Sequence, residues 1–413
     1  MGIIIVGGGI SGLTLALMLK ARGIDSEVYE AASRIDALGV GINLLPGSTA
    51  ELAEIGLLDR LDAVAVRTRE LIYTNRFGQE IWREARGLDA GYRVPQLSVH
   101  RGRLQVLLRD AVVERLGAGA LHTGHALTSF AQRDGRVEAR FELRSEGGER
   151  AAWGDVLIGC DGIHSVVRKA LVPDDGGLRW TGFLMWRGAT VARGFLDGRT
   201  MVVSGGLEDK LVLYPIADGP EPGTHLVNWA VCRRLGDGST PPPRREDWTR
   251  RASVEDVMPH VARFRTTHVD PKALVTQAPA VFEYPMADRD PLPRWTHGRV
   301  TLLGDAAHPM YPMGSNGAGQ AILDARCLAD RIAACRDLET ALHEYEAERL
   351  PKTTEIVRLN RRGGPEGVIE EVERRAPDGF ERIDDVLGYE ERERIVRGYA
   401  WVSGFAKEQV NRE

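Results

Sequence analysis

The stretch Ile3-Ile4-Ile5-Val6-Gly7-Gly8-Gly9-Ile10-Ser11-Gly12 decides the fold. Its four apolar residues, all β-branched, read as a short buried parallel strand. Gly7, Gly9 and Gly12 then give the spacing Gly-x-Gly-x-x-Gly, which lets the backbone turn tightly and approach a pyrophosphate. Leu13 to Arg22 has helical spacing and stops at Gly23, so a helix N-terminus with free N–H groups faces that pyrophosphate. Ser26 to Glu30 reads as a second strand ending in an acid. Glu30 follows Gly12 by 18 residues, where a carboxylate accepts ribose hydroxyls. Ser11, Ala31 and Arg34 are counted with this site. The unit binds a dinucleotide, and the motif leaves NAD and FAD both open.

A second motif narrows the choice. Gly304-Asp305-Ala306-Ala307-His308-Pro309 follows a short apolar strand, Arg299 to Leu303. A carboxylate at Asp305 can hold the ribityl hydroxyls of a flavin. Pro312 to Gly319 is a glycine-rich turn before a helix from Gly317 to Arg336. Backbone N–H groups around Pro312, Gly314, Asn316 and Gly317 would face the pyrimidine edge of a flavin and favour its reduced, negatively charged form. Between the two motifs lies Cys160-Asp161-Gly162-Ile163-His164-Ser165-Val166-Val167-Arg168, entered from the apolar strand Val156 to Gly159. Three elements in this order point to FAD.

The rest of the chain reads around these elements. Glu51 to Leu61 and Arg101 to Leu116 are helical. Leu71 to Thr74 and Glu80 to Trp82 flank a turn and form a hairpin. Val137 to Leu143 alternates as a half-exposed strand. Phe183 to Val191, Thr200 to Ser204, Lys210 to Ile216 and His225 to Cys232 read as antiparallel strands rich in aromatics. Pro241-Pro242-Pro243 is a surface linker, followed by a helix from Arg244 to Phe264. Leu338 to Leu359 is helical with an interruption at Pro351, and the charged tail after Glu366 has a helical pattern. The expected fold is α/β. A discontinuous Rossmann-like domain (1–70, 95–175 and 278–350) carries an inserted antiparallel sheet (71–94 and 176–277) and a C-terminal helical segment (351–413).

With 413 residues the chain can bury a large core, and its net charge of −5 gives no electrostatic case for nucleic acid. Cys160, Cys232, Cys327 and Cys335 have no metal-site or disulfide spacing, which fits a reducing, cytoplasmic setting without a metal. No leader peptide and no apolar run long enough to span a bilayer is visible. Monomer and homodimer both remain open.

These motifs resemble the class A flavoprotein aromatic hydroxylases, of the para-hydroxybenzoate hydroxylase fold, along the whole chain. The match runs through Gly7, Gly9 and Gly12, then Asp161, Gly162, Ser165 and Arg168, then Gly304, Asp305, His308 and Pro309. Arg101 and Leu104 match an arginine helix which, in the family, reaches the FAD phosphate or ribose. The family usually has Gly-Gln-Gly-x-Asn before the last helix, where this chain has Ser315-Asn316-Gly317-Ala318-Gly319. That departure, with Leu38 to Asn43, His100 to Gly102, Met185 to Gly188 and Tyr284 to Pro293, resembles the phenazine hydroxylase subgroup, in which 5-methylphenazine-1-carboxylate is converted to a hydroxyphenazine. The resemblance implies FAD, NADH or NADPH as reductant, O2 as cosubstrate, a C4a-hydroperoxyflavin and a planar aromatic substrate of secondary metabolism. Gly41, Ile42 and Leu127 join the expected cofactor contacts.

No covalent nucleophile is required, because the flavin does the chemistry. Leu45, Met310 and Tyr311 are expected near the ring through their motif neighbours. Trp186, Tyr214 and Trp229 could stack on a flat substrate, and Arg187 could pair with a carboxylate. Each also fits an ordinary core or local ion-pair role. His100, His164 and His308 read as structural. Three other outcomes stay open: N-oxygenation of an azaarene, attack on a polyketide-type aromatic, and a flavin-dependent halogenase or non-oxygenating flavoprotein. The halogenase element Trp-x-Trp-x-x-Pro does not occur in the sequence.

Overall fold

The computed structural model describes residues 2–240, 242 and 250–411. A five-stranded parallel sheet runs in the order Val300–Leu302, Val156–Gly159, Ile3–Val6, Ser26–Glu30, Leu121–Thr123. Its central strand is buried at every position, as an apolar strand flanked on both sides must be. Helices Ile10–Ala21 and Gly317–Ala334 pack on it and on each other. A three-stranded meander, His125–Arg133, Arg136–Leu143 and Glu149–Gly154, packs beside it.

The larger sheet has eight strands. Their order is Arg251–Ala252, Val281–Asp288, Arg179–Arg193, Thr224–Arg234, Asp209–Asp218, Thr200–Ser204, Glu70–Thr74, Glu80–Ala85. Pairing is antiparallel except where Thr200–Ser204 runs parallel to Glu70–Thr74, which brings the early hairpin into the sheet. Successive side chains alternate between faces, so neighbours in sequence belong to different cores. One face carries Leu184, Trp186, Trp229 and Val231 under helices Val254–Val261 and Pro271–Thr276. The other carries Met185, Tyr284 and Met286 with Tyr311 and Met313. A small sheet, Gly41–Leu44, Gln96–His100 and Ala65–Thr68, which the sequence reading did not anticipate, joins the two large ones. Among the described residues no helix is long and apolar enough to cross a membrane.

Two local expectations change. Glu51 to Leu61 is not one helix: Pro46–Glu54 and Leu58–Asp62 are separated at Gly56, whose φ of 69° suits glycine and ends the first helix. Pro351 does not interrupt its helix, which runs unbroken from Leu338 to Asn360. The carbonyl that loses a partner belongs to exposed Ala347, where water can reach it. The expected helix from Arg244 begins outside the described residues and is observed as Val254–Val261, capped by Ser253 and Asp256.

A buried polar knot ties the two long helices to the Gly304 turn. Asp324 is fully buried. Its carboxylate meets His308 Nε2 at 2.5 Å and accepts from Arg349 Nε at 2.7 Å and Gly304 N at 3.2 Å. Arg349 also donates to Gln320 Oε1 at 2.6 Å. Burial pushes the Asp324 carboxyl up, but His308 and Arg349 outweigh it and hold it below the usual carboxylate range. Asp324→Ala leaves Arg349 buried without its counter-charge, and a loss of about 3–5 kcal/mol is expected in chemical denaturation. Because the folded value is depressed, the Asp324 contribution is present above the ordinary carboxylate range and is lost as pH falls through the folded value. The gap between wild type and Asp324→Asn should therefore narrow in acid.

Candidate functional site

Each glycine of the first turn has its own reason. A Cβ on Gly12 would lie 2.0 Å from the Gly7 carbonyl oxygen, and one on Gly7 would lie 2.4 Å from the Cys160 carbonyl oxygen. Gly7 also has φ of 110°. Gly9 differs: a Cβ there meets nothing within 4 Å. The space above Gly9 is open, and the helix that starts at Ile10 has neither a side-chain cap nor an acid in its first turn. Its free N–H groups therefore face open space, where a phosphate can approach. Glu30, at the end of its strand, accepts from Gly8 N at 2.6 Å and Ala32 N at 2.7 Å, which fixes the carboxylate beside the turn. Arg34, partnered by Asp36 at 3.2 Å, lines the outer crevice with Gly39, Arg101 and Arg187. Ala31 follows Glu30 at the strand end.

The other segments converge on this crevice. Gly304 approaches Ser11 so closely that a Cβ on it would be 3.1 Å from the Ser11 Cβ. Asp305 lies deep in the protein, where burial raises its pKa while His308 and Arg101 pull the other way. Yet its surface is open rather than packed, and no hydrogen bond to its carboxylate is present among the described residues. Recessed in the protein yet open to the crevice and free of protein hydrogen bonds, this carboxylate is available to a hydroxyl-bearing ligand. Arg101 opens the helix Arg101–Leu116. Burial lowers its pKa and the Asp305 charge opposes that shift. The open glycine turn, the strand-end acid, the unpartnered Asp305 and the facing Arg101 together fit a flavin dinucleotide.

Asp161 and Arg168 act through the frame. Asp161 accepts from Ser165 Oγ at 2.5 Å and Val166 N at 2.7 Å, capping the helix Val166–Leu171. Gly162 has φ of 78° and open space around it. Arg168 is 1 % exposed. It pairs with Asp175 at 2.5 Å and donates to the carbonyls of Ala307 at 2.9 Å and Asp290 at 3.1 Å. It therefore braces the Gly304–His308 turn and does not reach the crevice. Leu127, expected at the cofactor, packs in the core opposite Phe141 because its strand turns that side chain inward.

The turn from Pro312 to Gly317 is held from behind. Gly314 has φ of 66° and Ser315 φ of 55°, a left-handed position that a non-glycine residue takes only when its surroundings enforce it. Gly314 N donates to Glu366 Oε1 at 3.1 Å, and Glu366 is paired with buried Lys210. The Tyr399 hydroxyl donates to Asn360 Oδ1 at 2.6 Å and contacts the Met313 carbonyl at 3.2 Å. The Asn316 side chain is turned back toward Tyr399 and Gln320, leaving only its backbone toward the front of the turn. The helix Gly317–Ala334 starts with no side-chain cap and no acid in its first turn.

The sheet face settles which expected substrate residues come together. Arg187 donates to the Gly41 carbonyl and, at 3.0 Å, to the Tyr284 hydroxyl. Gly41 N donates to Asn228 Oδ1 at 2.8 Å, so the Gly41-Ile42 strand is clamped onto the sheet next to Tyr214. Protein groups thus engage both Nη atoms of Arg187, while its Nε is buried without a hydrogen-bond partner. Trp186 and Trp229 stand on the opposite face, because one step along a strand reverses the side chain. Trp186 donates to Glu283 at 3.0 Å and stacks on His260, while Trp229 donates to Thr190 at 3.1 Å. Neither tryptophan shares a space with Tyr214 or Arg187. The Tyr311 hydroxyl meets Thr181 at 2.7 Å and its ring packs against Phe183, whereas Met310 lies by Gly317.

A cavity of about 550 Å³ opens beside Gly314 and Ser315. Leu45, Leu71, Met201, Val203, Val396 and Phe405 give it apolar walls, and Tyr73, Arg86 and Gln96 bring polar groups. Of the substrate residues expected from sequence, only Leu45 lines it. The rest come from the early hairpin, the strands Thr200–Ser204 and Gln96–His100, the Gly314 turn and the C-terminal segment, whose meeting no local spacing could signal.

A family model described as an FAD binding domain matches residues 1–193 and 206–360. The chain is 44% identical over 363 residues to phenazine 1,6-dicarboxylic acid hydroxylase PhzS of Lysobacter antibioticus, covering 87% of this chain and 89% of that protein. It is 34% identical to 3-amino-4-hydroxybenzoate 2-monooxygenase of Streptomyces cremeus, over 92% of this chain and 90% of that one. Klebsiella pneumoniae HpxO, solved with FAD and uric acid, shares the fold with a TM-score of 0.74 at 23% identity, over 98% of this chain and 96% of its own.

The geometry makes the two ends of the cofactor site separable. Gly9→Val should fold, since a Cβ there meets nothing within 4 Å, but should purify without yellow colour. Asp305→Ala should weaken FAD affinity by on the order of 10-fold or more. Flavin absorbance per protein, with circular dichroism as the folding control, reads both. A fully flavinated Gly9→Val would place the pyrophosphate elsewhere.

Proposed function

The chain belongs to the FAD-binding family of aromatic hydroxylases and is an FAD-dependent monooxygenase; from that premise we propose that it hydroxylates a planar polycyclic aromatic acid of the phenazine carboxylate class, with NADH or NADPH as reductant. The observation that carries this reading is the cavity of about 550 Å³ at the Gly314–Ser315 turn. Its volume and apolar walls suit a flat, multi-ring ligand. The 44% identity to a phenazine dicarboxylate hydroxylase supports the same class.

In this reading Gly9 and the helix N-terminus behind it hold the pyrophosphate, Glu30 the ribose, and Asp305 the ribityl chain. When bound, FAD would supply the redox chemistry that links the nicotinamide to O2, and O2 would be the source of the transferred oxygen. The protein's own task is to bind, orient and exclude water. The Gly314 and Ser315 backbone sets the front edge of the cavity, and Leu45 and Phe405 flank it. The helix starting at Gly317 presents its positive end at the same place, favouring negative charge on a reduced ring. Asn316 and Arg168 act by holding the turns in position.

A second reading has its own support. Aminohydroxybenzoate monooxygenases match at 34% identity over 92% of the chain, which favours a single-ring acid. NADH and NADPH oxidation by the FAD-loaded protein in air separates the two. The measurement is made with phenazine-1-carboxylate, its N-methyl form and 3-amino-4-hydroxybenzoate, followed by product mass. Stimulation by a phenazine, with gain of one oxygen or exchange of carboxylate for hydroxyl, is expected. Stimulation by the aminohydroxybenzoate alone would move the substrate to the single-ring class, and stimulation without an oxygenated product would remove the hydroxylation reading.

A further inference from the structure

The far wall of the cavity carries polar groups that the protein leaves unsatisfied. Arg86 follows directly on the strand Glu80–Ala85, and its side chain is 16 % exposed. Its Nη2 pairs with Glu84 at 2.5 Å, which fixes the plane of the guanidinium. Its Nε is buried and has no hydrogen-bond partner. Gln96 Oε1, on the neighbouring strand Gln96–His100, is also buried without a partner. The Tyr73 hydroxyl makes no hydrogen bond among the described residues, although the residue is 2 % exposed. All three residues line the same cavity. An apolar ligand would leave a charged donor, a hydroxyl and an amide oxygen desolvated and unpaired, which is costly.

The other charges around the cavity are mostly spoken for. Glu366 is neutralised by Lys210, and Arg397 is held by Glu393 at 2.9 Å. Lys407 and Glu408 lie exposed at the mouth. Arg86 is paired too, with Glu84 of the same wall, but it keeps a buried Nε–H without a partner. A charged donor is matched best by a charged acceptor. Tyr73 lies within electrostatic reach of both Glu366 at the Gly314 turn and Arg86 at the far wall. Burial and the Glu366 charge hold its hydroxyl in the protonated, donating form, against a smaller opposing pull from Arg86.

We propose that Arg86 is the carboxylate anchor of the substrate. Its Nε–H, with the Tyr73 hydroxyl, receives the ring's carboxylate, and the rings extend along the apolar walls toward Gly314. Gln96 Oε1 accepts from a hydroxyl or amine on the same ligand. The substrate class is therefore an aromatic monocarboxylate or dicarboxylate, and Arg86 is a specificity-determining residue. This rests on the cavity being the substrate site of the proposed hydroxylase.

The test is titration of the FAD-loaded protein with phenazine-1-carboxylate and with phenazine-1-carboxamide, an uncharged ring of the same shape, followed through the flavin absorbance. Wild type should prefer the carboxylate. Arg86→Gln should cut the carboxylate-to-carboxamide affinity ratio by on the order of 10- to 100-fold. Arg86→Lys, which keeps the charge but lacks the Nε–H, should fall between the two, and it decides the question if Arg86→Gln loses FAD. Equal preference for acid and amide in wild type, or an unchanged ratio in flavinated Arg86→Gln, would overturn the anchor. Binding of neither phenazine by wild type would instead remove the phenazine reading. The same ratio measured with 3-amino-4-hydroxybenzoate and its amide then decides Arg86 independently.

Discussion

Asp324 is the constraint on which the cofactor site depends. A full negative charge at zero exposure is tolerable only with partners, and its partners are the two elements that must be placed. Gly304 N–H and His308 belong to the turn that presents Asp305, and Arg349 belongs to the long helix behind it. Arg168 reaches the same turn from the middle of the chain through the Ala307 carbonyl. Three segments far apart in sequence are thus locked at one point by hydrogen bonds that water cannot replace. The crevice that results is open where a ligand must enter, above Gly9 and at Asp305, and closed everywhere that the frame needs support.

The eight-stranded sheet separates structural from binding functions by the simplest means available, the alternation of side chains. Trp186 and Trp229 build a core with the helices beneath, while Arg187 and Tyr284 face the crevice and Tyr214 lies against Gly41. The small sheet that includes Gly41 is clamped to this face by Asn228 and Arg187. Arg187 thereby becomes a joint between layers. The cavity beside Gly314 is formed elsewhere on the same face, where the hairpin from Glu70 to Ala85 adds to Thr200–Ser204 and the C-terminal segment closes over it.

The C-terminal segment serves the turn as well as the cavity. Glu366, Tyr399 and Asn360 all touch the stretch from Tyr311 to Gly314. Lys210 balances Glu366 inside the protein and ties that stretch to the sheet. With Gly314 and Ser315 both in left-handed backbone, the turn is held in a shape it would not keep alone. A rigid front edge of this kind suits a site that must keep a ring in one orientation while excluding solvent.

The cofactor half of this organisation was legible in the order of residues. The glycine turn, the strand-end Glu30 and the Gly304-Asp305 turn are local objects. A tight turn, a free helix end and a carboxylate after a strand are each set by contacts within a few residues. Arg168 was legible as part of a motif but not in its role, because its partners lie at Asp175, Asp290 and Ala307. The faces taken by Leu127, Trp186 and Trp229 were not legible for a related reason. Strand residues of one chemical type can face either side, and only the pairing register assigns the face. The cavity could not be read at all. Tyr73, Arg86, Gln96 and Phe405 become neighbours only when a parallel pairing brings the early hairpin to the sheet edge and the tail helices fold back over it. Residue order alone thus set the glycine turn and the Gly304-Asp305 turn, since short-range sterics and backbone hydrogen bonds define them. The walls of the cavity beside Gly314 were decided by long-range packing, because burial and unpaired polar atoms exist only between surfaces already brought together.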